Sequence, residues 1–214
     1  MGKLIKNYGG ISLWQLGKDE IPDLTFFVLD NYYMQYWKQH IDVDGEELRN
    51  AVSEDLTHFD QGAFFAIRDL GGHLLASIKA VKILKTDEFP LKNDFQITYS
   101  DLERIVYPLV GDVWLFGRFV VDRDYFNSKP ELVCYRNIIF RVLICKAIEC
   151  MSYSLDNILI ADVDVEVCRK LRKVDIDMIP IGSSKIIYAS EAIPVYNRMS
   201  GLSTFLKKNI HLIR

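Results

Sequence analysis

The residue whose surroundings most suggest chemistry is Arg118, which lies inside an apolar, β-rich run from Asp112 to Asp122. An apolar run of this kind predicts a central strand that is buried on both faces. A buried guanidinium destabilises a protein by several kcal/mol, as an order of magnitude, unless it is paired. We therefore expect Arg118 to contact a carboxylate, a group of carbonyl oxygens or an anionic ligand. Asp162 and Asp112 are the candidate carboxylates.

Gly117 interrupts the same run just before the arginine. A glycine inside a strand usually marks a β-bulge or the close approach of another chain segment. Alternation places one set of side chains on one face, namely Trp114, Phe116, Arg118 and Val120. It places a second set on the other face, namely Val113, Leu115, Gly117, Phe119 and Val121. A strand that bulges here is a suitable place for a binding site.

The size and composition of the chain are those of an ordinary globular protein. Its 214 residues suit a single domain over 1–214, and the net charge of −3 argues against nucleic-acid binding. The four cysteines form no CxxC pair and have no histidine at ligand spacing, so we expect reduced thiols and no metal site. No signal peptide or membrane-spanning run is evident, which predicts a cytoplasmic protein.

The pattern of apolar residues, caps and glycines predicts one α/β domain with a mixed sheet. The expected strands are Ile11–Leu16, Gly62–Asp69, His73–Leu84, Asp112–Asp122, Asn157–Val163, Asp177–Ile181 and Lys185–Val195. The expected helices begin near Asp19, at the N-caps Asp44 and Ser100, at Glu131, at the N-cap Asp164 and at Arg198. The helix that begins at Glu131 is expected to end at Ser154. A polar loop is expected over Arg123–Pro130. The long helix between two strands predicts that Asp112–Asp122 and Asn157–Val163 are parallel neighbours, which we expect to separate at one end.

This order of elements resembles the GNAT acyltransferase fold, a central mixed sheet with helices on both faces. The segment Trp114-Leu-Phe-Gly-Arg-Phe119-Val-Val is similar to the W-E-x-S/T-R-F-x-V strand of the autoinducer (acyl-homoserine-lactone) synthases and the related N-acyl amino acid synthases. Leu171-Arg-Lys-Val-Asp175 stands where those enzymes have L-R-R-x-G, and Ile179-Pro-Ile-Gly182 resembles the turn before their last strand.

The chain departs from that family at two places. Leu115 stands where the synthases have a glutamate. Their N-terminal set of residues that binds S-adenosylmethionine is matched only loosely, by Phe27, Trp37, Asp42 and Asp44. We therefore do not expect synthesis of a homoserine lactone.

The resemblance implies that the acyl donor is a thioester of phosphopantetheine, carried by coenzyme A or by an acyl carrier protein. In such enzymes backbone groups of the central strand bind the pantetheine and polarise the thioester, which implies this role for Phe119, Val120 and Val121. Arg123 and Lys129 follow in the loop and would bind the donor. This loop lacks the glycine-rich pyrophosphate motif of acetyl-CoA-dependent enzymes, which favours a carrier protein as donor, with acyl-CoA still open.

The resemblance also implies candidate catalytic residues. Arg118 would orient the acyl carbonyl or an acceptor carboxylate, or it would be a structural ion-pair member. Asp162, near the end of the neighbouring strand, is the candidate general base, whereas Asp164 is better explained as a helix cap. No general acid is evident, because Leu171 occupies the position at which many GNAT enzymes have a tyrosine.

The densest basic cluster consists of Arg169, Lys170, Arg172 and Lys173. It is either a docking surface for an acidic carrier protein or an ordinary solvated helix face. The sequence thus predicts an N-acyltransferase that moves an acyl group to the amine of a small metabolite or amino acid. The alternative is a catalytically silent GNAT-like module that binds an acyl-thioester or a partner protein.

Overall fold

A computed structural model describes residues 2–187 and 190–214, and its framework is a nine-stranded mixed sheet. The strands are β1 (Lys3–Asn7), β2 (Ile11–Gln15), β3 (Gly62–Asp69), β4 (Leu74–Ile83), β5 (Val113–Val121), β6 (Ile158–Asp164), β7 (Ile179–Pro180), β8 (Lys185–Ile187) and β9 (Ser190–Arg198). Their order is β1-β2-β3-β4-β5-β6-β9-β7, and β8 also pairs with β9. Only β5 and β6 pair in parallel within the described residues, which follows from the helical crossover between them.

The helices cover both faces of this sheet, as the GNAT resemblance implies. They are α1 (Ile21–Trp37), α2 (Glu46–Thr57), α3 (Lys92–Phe95), α4 (Tyr99–Ile105), α5 (Arg123–Ser128), α6 (Arg136–Met151), α7 (Val165–Arg172) and α8 (Met199–Asn209). One apolar core lies between the sheet and helices α6 and α8. A second lies between the opposite face and α1, and a smaller cluster joins α1 to α2. No helix in the described part of the chain combines the length and hydrophobicity of a membrane-spanning segment.

Strand β5 contains the predicted β-bulge. Gly117 pairs with Lys79 and Val120 pairs with Ser77, so three steps along β5 face two steps along β4. Arg118 sits in the bulge with φ of 51°, a left-handed conformation that is uncommon for residues other than glycine. Gly117 makes room for the neighbouring side chain, because a Cβ there would lie 3.1 Å from Cε of Lys79.

The bulge reverses the alternation of side chains along β5. Before it, Trp114 and Phe116 face the core under α6, as predicted. After it, Phe119 and Val121 face that same core, while Val120 joins the core under α1. The predicted faces are therefore wrong beyond Gly117, because one inserted residue shifts the two-residue period of a strand by one step.

Strands β5 and β6 separate as predicted. They pair only from Val113 opposite Ile158 to Leu115 opposite Ile160. Both strands continue beyond that point, β5 to Val121 and β6 to Asp164. The second half of each strand thus borders an opening in the middle of the sheet.

Several local predictions need correction. The cap of α2 is Gly45 and not Asp44, and the capping box of α4 is formed by Thr98 with Asp101 and not by Ser100. The expected polar loop Arg123–Pro130 contains helix α5, and the expected long helix begins with a 3₁₀ segment, Pro130–Tyr135. The last predicted strand is divided into β8 and β9, and residues 188 and 189 between them lie outside the described part.

Candidate active site

A cavity of about 620 Å³ occupies the opening between β5 and β6. Its walls come from both strands and from helices on both faces of the sheet, including α1 on one side and α6 on the other. The cavity therefore extends through the layer of the sheet. Its two ends have different chemical character.

The end under α6 is apolar. We call it the apolar arm, and it is lined by Phe140, Ile144, Ile148, Leu159, Leu171 and Met178. The ring of Phe119 closes against it, with its centroid 5.5 Å from that of Phe140 in an edge-to-face arrangement. Such a lining suits a hydrocarbon chain, since apolar surface gains free energy when it leaves water.

The end towards α1 carries ionisable and hydroxyl groups. We call it the polar end, and it is lined by Tyr32, Gln35, Tyr36, Asp94, Asp162 and Asp164. Three of these groups, Tyr32, Tyr36 and Asp164, form hydrogen bonds within the protein. The Tyr36 hydroxyl donates a hydrogen bond to Oδ2 of Asp164 over 3.1 Å, and the Ser190 hydroxyl donates to the same oxygen.

Asp164 has the structural role that the sequence predicts. Its Oδ1 accepts a hydrogen bond of 2.6 Å from the amide of Glu166, so it caps α7. Although burial opposes the charged form, the hydrogen bonds from Ser190, from backbone amides and from Tyr36 lower the pKa of Asp164. A carboxylate held in this way is a poor proton acceptor.

Asp162 is the contrasting carboxyl group of the polar end. It lines the cavity, and it forms no ion pair among the described residues. Partial desolvation at the cavity wall raises the pKa of Asp162 and the nearby carboxylate of Asp94 raises it further, against the opposing charges of Lys79 and Arg118. A carboxyl group with a raised pKa in a cavity is suited to accept a proton from a bound amine.

A buried ion network lies beside the bulge. Oδ1 of Asp55 lies 2.9 Å from Nζ of Lys79, and Oδ2 lies 2.8 Å from Nε of Arg118. The hydroxyl of Thr25 donates a further hydrogen bond of 2.9 Å to Asp55. Glu54 lies at the edge of the network, 3.2 Å from Lys79 and 3.7 Å from Arg118.

Arg118 is therefore paired, but with neither of the predicted carboxylates. The partners Asp55 and Glu54 come from α2, far away along the chain, whereas Asp162 and Asp112 make no ion pair with Arg118 in the described structure. Although burial opposes the charged form, these two carboxylates raise the pKa of Arg118. The guanidinium also lines the cavity, so it is both a structural group and part of the candidate site.

The roles of Asp55, Glu54 and Lys79 in the ion network were not predicted from the sequence. A signal existed for Asp55, which follows Leu48 by seven residues and so falls on the buried face of α2. A signal existed for Lys79 too, because it is a cation within the apolar β4. Two cations on neighbouring central strands require acids nearby.

The backbone after the bulge faces the cavity. The amide of Asp122 donates a hydrogen bond of 2.9 Å to the carbonyl of Leu75 in β4. Backbone groups alternate in direction along an antiparallel pair, so those of Val120 are directed to β4 and those of Val121 to the cavity. The carbonyl of Phe119 accepts a hydrogen bond of 3.2 Å from the hydroxyl of Tyr32 in α1, and burial raises the pKa of that hydroxyl.

Two cations lie at the cavity wall near the start of α5. Arg123 and Lys170 both line the cavity, and burial together with the charge of Arg123 lowers the pKa of Lys170. Lys129 is not part of the lining in the described residues, and its ammonium lies 5.8 Å from the ring centroid of Tyr125. The structure thus brings Arg123 to the site but not Lys129.

The basic cluster of α7 is partly neutralised. Arg169 pairs with Glu166, and Nε of Arg172 lies 3.1 Å from Asp177. In the described part of the chain, no group of three or more side chains could hold a metal ion.

No protein-family model and no curated protein sequence matches this chain. Solved structures do. FeeM, an N-acyl amino acid synthase from uncultured soil microbes, has a TM-score of 0.57 at 14% identity, over 91% of this chain and 96% of that one. TofI, in a ternary complex with an inhibitor and MTA, has a TM-score of 0.56 at 13% identity, over 96% of each chain.

The chain has the GNAT fold. BjaI, a CoA-dependent acyl-homoserine lactone synthase solved with SAM and isopentyl-CoA, is also similar, with a TM-score of 0.50 at 11% identity over 89% of this chain and 80% of that one. The predicted fold class and the resemblance in overall architecture are confirmed. Identities this low establish the fold alone.

Proposed function

We propose that this protein is an N-acyltransferase that moves an acyl group from a phosphopantetheine thioester to the amine of a small molecule. The observation that carries this proposal is the cavity between the separated strands, with an apolar arm at one end and an unpaired carboxyl group at the other. Acyl transfer needs room for the acyl chain, a polariser for the thioester carbonyl and a base for the amine. The cavity offers all three along one path.

The thioester would lie against β5 just after the bulge. Backbone groups of Phe119 and Val121 border the cavity there without a neighbouring strand to pair with. An extended pantetheine arm can bond to such free strand groups, and an amide aimed at the thioester oxygen would stabilise the negative charge that develops on it. Arg123 and Lys170 would bind the phosphate of the arm. That phosphate is common to coenzyme A and to carrier proteins.

The reaction balances with the groups at hand. An amine that has given one proton to Asp162 attacks the thioester carbon, forming the C–N bond. The tetrahedral intermediate then collapses and the C–S bond breaks. The products are an N-acyl amide and the free thiol of the pantetheine, because the departing thiolate takes the second proton that the attacking nitrogen must lose. Asp162 would receive the proton, which is supported by its position in the lining of the polar end, where the amine would enter.

The direct test is thiol release from acyl-CoA and from acyl carrier protein, each with a mixed pool of amines. We expect amine-dependent thiol release with at least one of the two donors, and formation of an N-acyl product by mass spectrometry. A salt-sensitive preference for the carrier protein that is lost on reversing Arg169 and Lys173 would identify a docking surface. An acyl-thioester that binds but is not consumed with any amine would favour the silent binding module instead.

The length of the accepted acyl chain tests the position of the apolar arm. Ile144→Trp places a larger side chain into the arm, so we expect turnover of eight- to twelve-carbon donors to fall about tenfold or more while acetyl transfer is retained. Arg141→Trp is the matched control, because Arg141 is exposed on the same helix. Equal losses for all chain lengths, in a variant that melts like the wild type, would show that the acyl chain lies elsewhere.

A further inference from the structure

Ser77 carries a buried hydroxyl group that the proposed reaction does not use. It lies in β4 between Ala76 and Ile78, it is fully buried, and it is not part of the cavity lining. Its Oγ donates a hydrogen bond of 2.7 Å to the backbone carbonyl of Arg118, which sits in the bulge of β5. The hydroxyl thus reaches the neighbouring strand at the point where the ladder between the two strands is interrupted.

The backbone of the bulge is held by side chains and not by a neighbouring strand. Neither Arg118 nor Phe119 has a partner residue in β4 or β6 within the described register. In place of ladder bonds, Ser77 donates to the carbonyl of Arg118, and the hydroxyl of Tyr32 donates to the carbonyl of Phe119 over 3.2 Å. A residue other than glycine keeps a left-handed conformation only where its surroundings hold it, and such positions cluster at functional sites.

The bond from Ser77 also determines where the next amide points. The carbonyl of Arg118 and the amide of Phe119 belong to one planar trans peptide unit, so they point in opposite directions. Since the carbonyl is directed at Ser77 in β4, the amide of Phe119 is directed away from β4. The cavity lies on that side, because β6 has already separated from β5 and Phe119 lines the opening.

We propose that Ser77 is a positioning residue for acyl transfer. Its hydrogen bond fixes the peptide unit between Arg118 and Phe119, so that the amide of Phe119 donates to the carbonyl oxygen of a thioester in the cavity. A donor that is already aligned needs no reorganisation when negative charge develops on that oxygen. The inference rests on the proposed N-acyltransfer and names the residue that orients its polarising amide.

The first test separates turnover from binding. Ser77→Ala removes the hydroxyl and leaves the cavity lining in place, so we expect kcat to fall about tenfold or more as the amide loses its alignment. The binding probe is S-octyl phosphopantetheine, a thioether that lacks the reacting carbonyl. Its dissociation constant should stay within about twofold of the wild-type value, because the affected bond forms only to the carbonyl.

Ser12→Ala is the matched control. Ser12 in β2 also donates a hydrogen bond to a carbonyl of the neighbouring strand, that of Arg68 in β3 over 3.4 Å, and it does not line the cavity. Each substitution removes one hydroxyl from a bond between two strands, so a general loosening of the sheet would affect both proteins. We expect the control to turn over at the wild-type rate.

An infrared measurement observes the carbonyl directly and needs no turnover. The probe is octanoyl-phosphopantetheine, labelled with a heavy carbon isotope at the thioester carbonyl and bound without an amine. A hydrogen bond weakens the C=O bond, so the carbonyl band should lie at a higher frequency in Ser77→Ala than in the wild type and in Ser12→Ala. If Ser77→Ala does not fold, Ser77→Cys replaces it, because a thiol fills the site but donates only weakly.

Two results would overturn the inference. One is a folded Ser77 variant whose carbonyl band and kcat match those of the wild type. The other is a variant that loses affinity for the thioether as much as it loses turnover, because the hydroxyl would then support the cavity as a whole.

Failure of the inference and failure of the proposed function give different results. If amines are acylated while Ser77→Ala leaves the band and kcat unchanged, the transfer stands and only the positioning role is wrong. If the band shifts in Ser77→Ala but no amine releases thiol, the proposed function is wrong although Ser77 still directs the amide. A wild-type protein that does not bind the labelled thioester would overturn both.

Discussion

Asp55 is fully buried and Asp162 is an exposed residue in the cavity wall, and their surroundings shift the pKa values of these two carboxyl groups in opposite directions. The carboxylate of Asp55 accepts hydrogen bonds from Lys79, from Arg118 and from the hydroxyl of Thr25. Burial alone would raise the pKa of Asp55, but the charges of Lys79 and Arg118 lower it. Asp162 has no such ion-pair partner among the described residues, and partial desolvation at the cavity wall raises its pKa.

This contrast identifies Asp55 as the structural carboxylate and Asp162 as the one available for chemistry. The Asp55 carboxylate accepts three hydrogen bonds, holds α2 against the bulge of β5 and is fully buried, so a substrate cannot reach it. An unsaturated carboxylate beside a cavity is poorly stabilised and gains from binding a cation or a proton. Substitutions at the two positions should therefore have opposite consequences.

The largest effect is expected for Asp55→Asn. It keeps the size of the side chain but leaves Lys79 and Arg118 buried without their main counter-charge, so the free energy of unfolding should fall by about 3–5 kcal/mol. Urea denaturation measures this loss. Glu54→Gln is the control, and because Glu54 is half exposed we expect a loss of about 1 kcal/mol or less. A fully stable Asp55→Asn protein would contradict the assignment of Asp55 as the structural member.

Asp162→Asn should have the converse effect, on rate and not on stability. Loss of a general base lowers turnover by about 10²-fold or more, so we expect a fall of that size in kcat. The free energy of unfolding should stay unchanged or rise slightly, because the uncharged amide avoids the desolvation of a carboxylate. Steady-state kinetics and urea denaturation on the same sample separate the two quantities. Normal turnover would remove Asp162 from the mechanism.

The smallest effect is a pH dependence of stability. The raised pKa of Asp162 means that its stabilising contribution is present below the unfolded value of about 3.9 and is lost as the pH rises through the folded value. The lowered pKa of Asp55 gives the opposite sign, so its contribution is present above about pH 3.9 and is lost as the pH falls through the folded value.

Denaturation of the wild type and of Asp162→Asn at a series of pH values from about 4 upward measures this dependence. We expect the wild type to lose stability relative to the variant as the pH rises, by a small amount because the Asp162 side chain is exposed and solvent screens its charge. Parallel curves would show that Asp162 titrates normally, and the contrast with Asp55 would then disappear.

Much of the architecture follows from local patterns in the sequence. Strand β3 has the predicted bounds, Asp164 caps its helix as predicted, and Gly117 marks the bulge that its position suggests. These features depend on neighbours within a few residues, such as alternation, capping geometry and the missing side chain of glycine. The parallel pairing of β5 with β6 also followed, because a helical crossover joins parallel strands, whereas their separation was implied by the resemblance to the GNAT fold.

What the sequence could not decide is which distant groups meet. Nothing local links Asp55 to Arg118, which lie on different elements and are joined only when α2 packs beside the bulge. In the same way, the register between β4 and β5 decides which side chains of β5 lie on each face of the sheet beyond Gly117. Hydrogen bonds across the sheet determine this register. The sequence by itself determined that a buried arginine needs a carboxylate. Only the tertiary structure decided that Asp55 would supply it and that Asp162 would be left unpaired in the cavity, because charges pair across space and not along the chain.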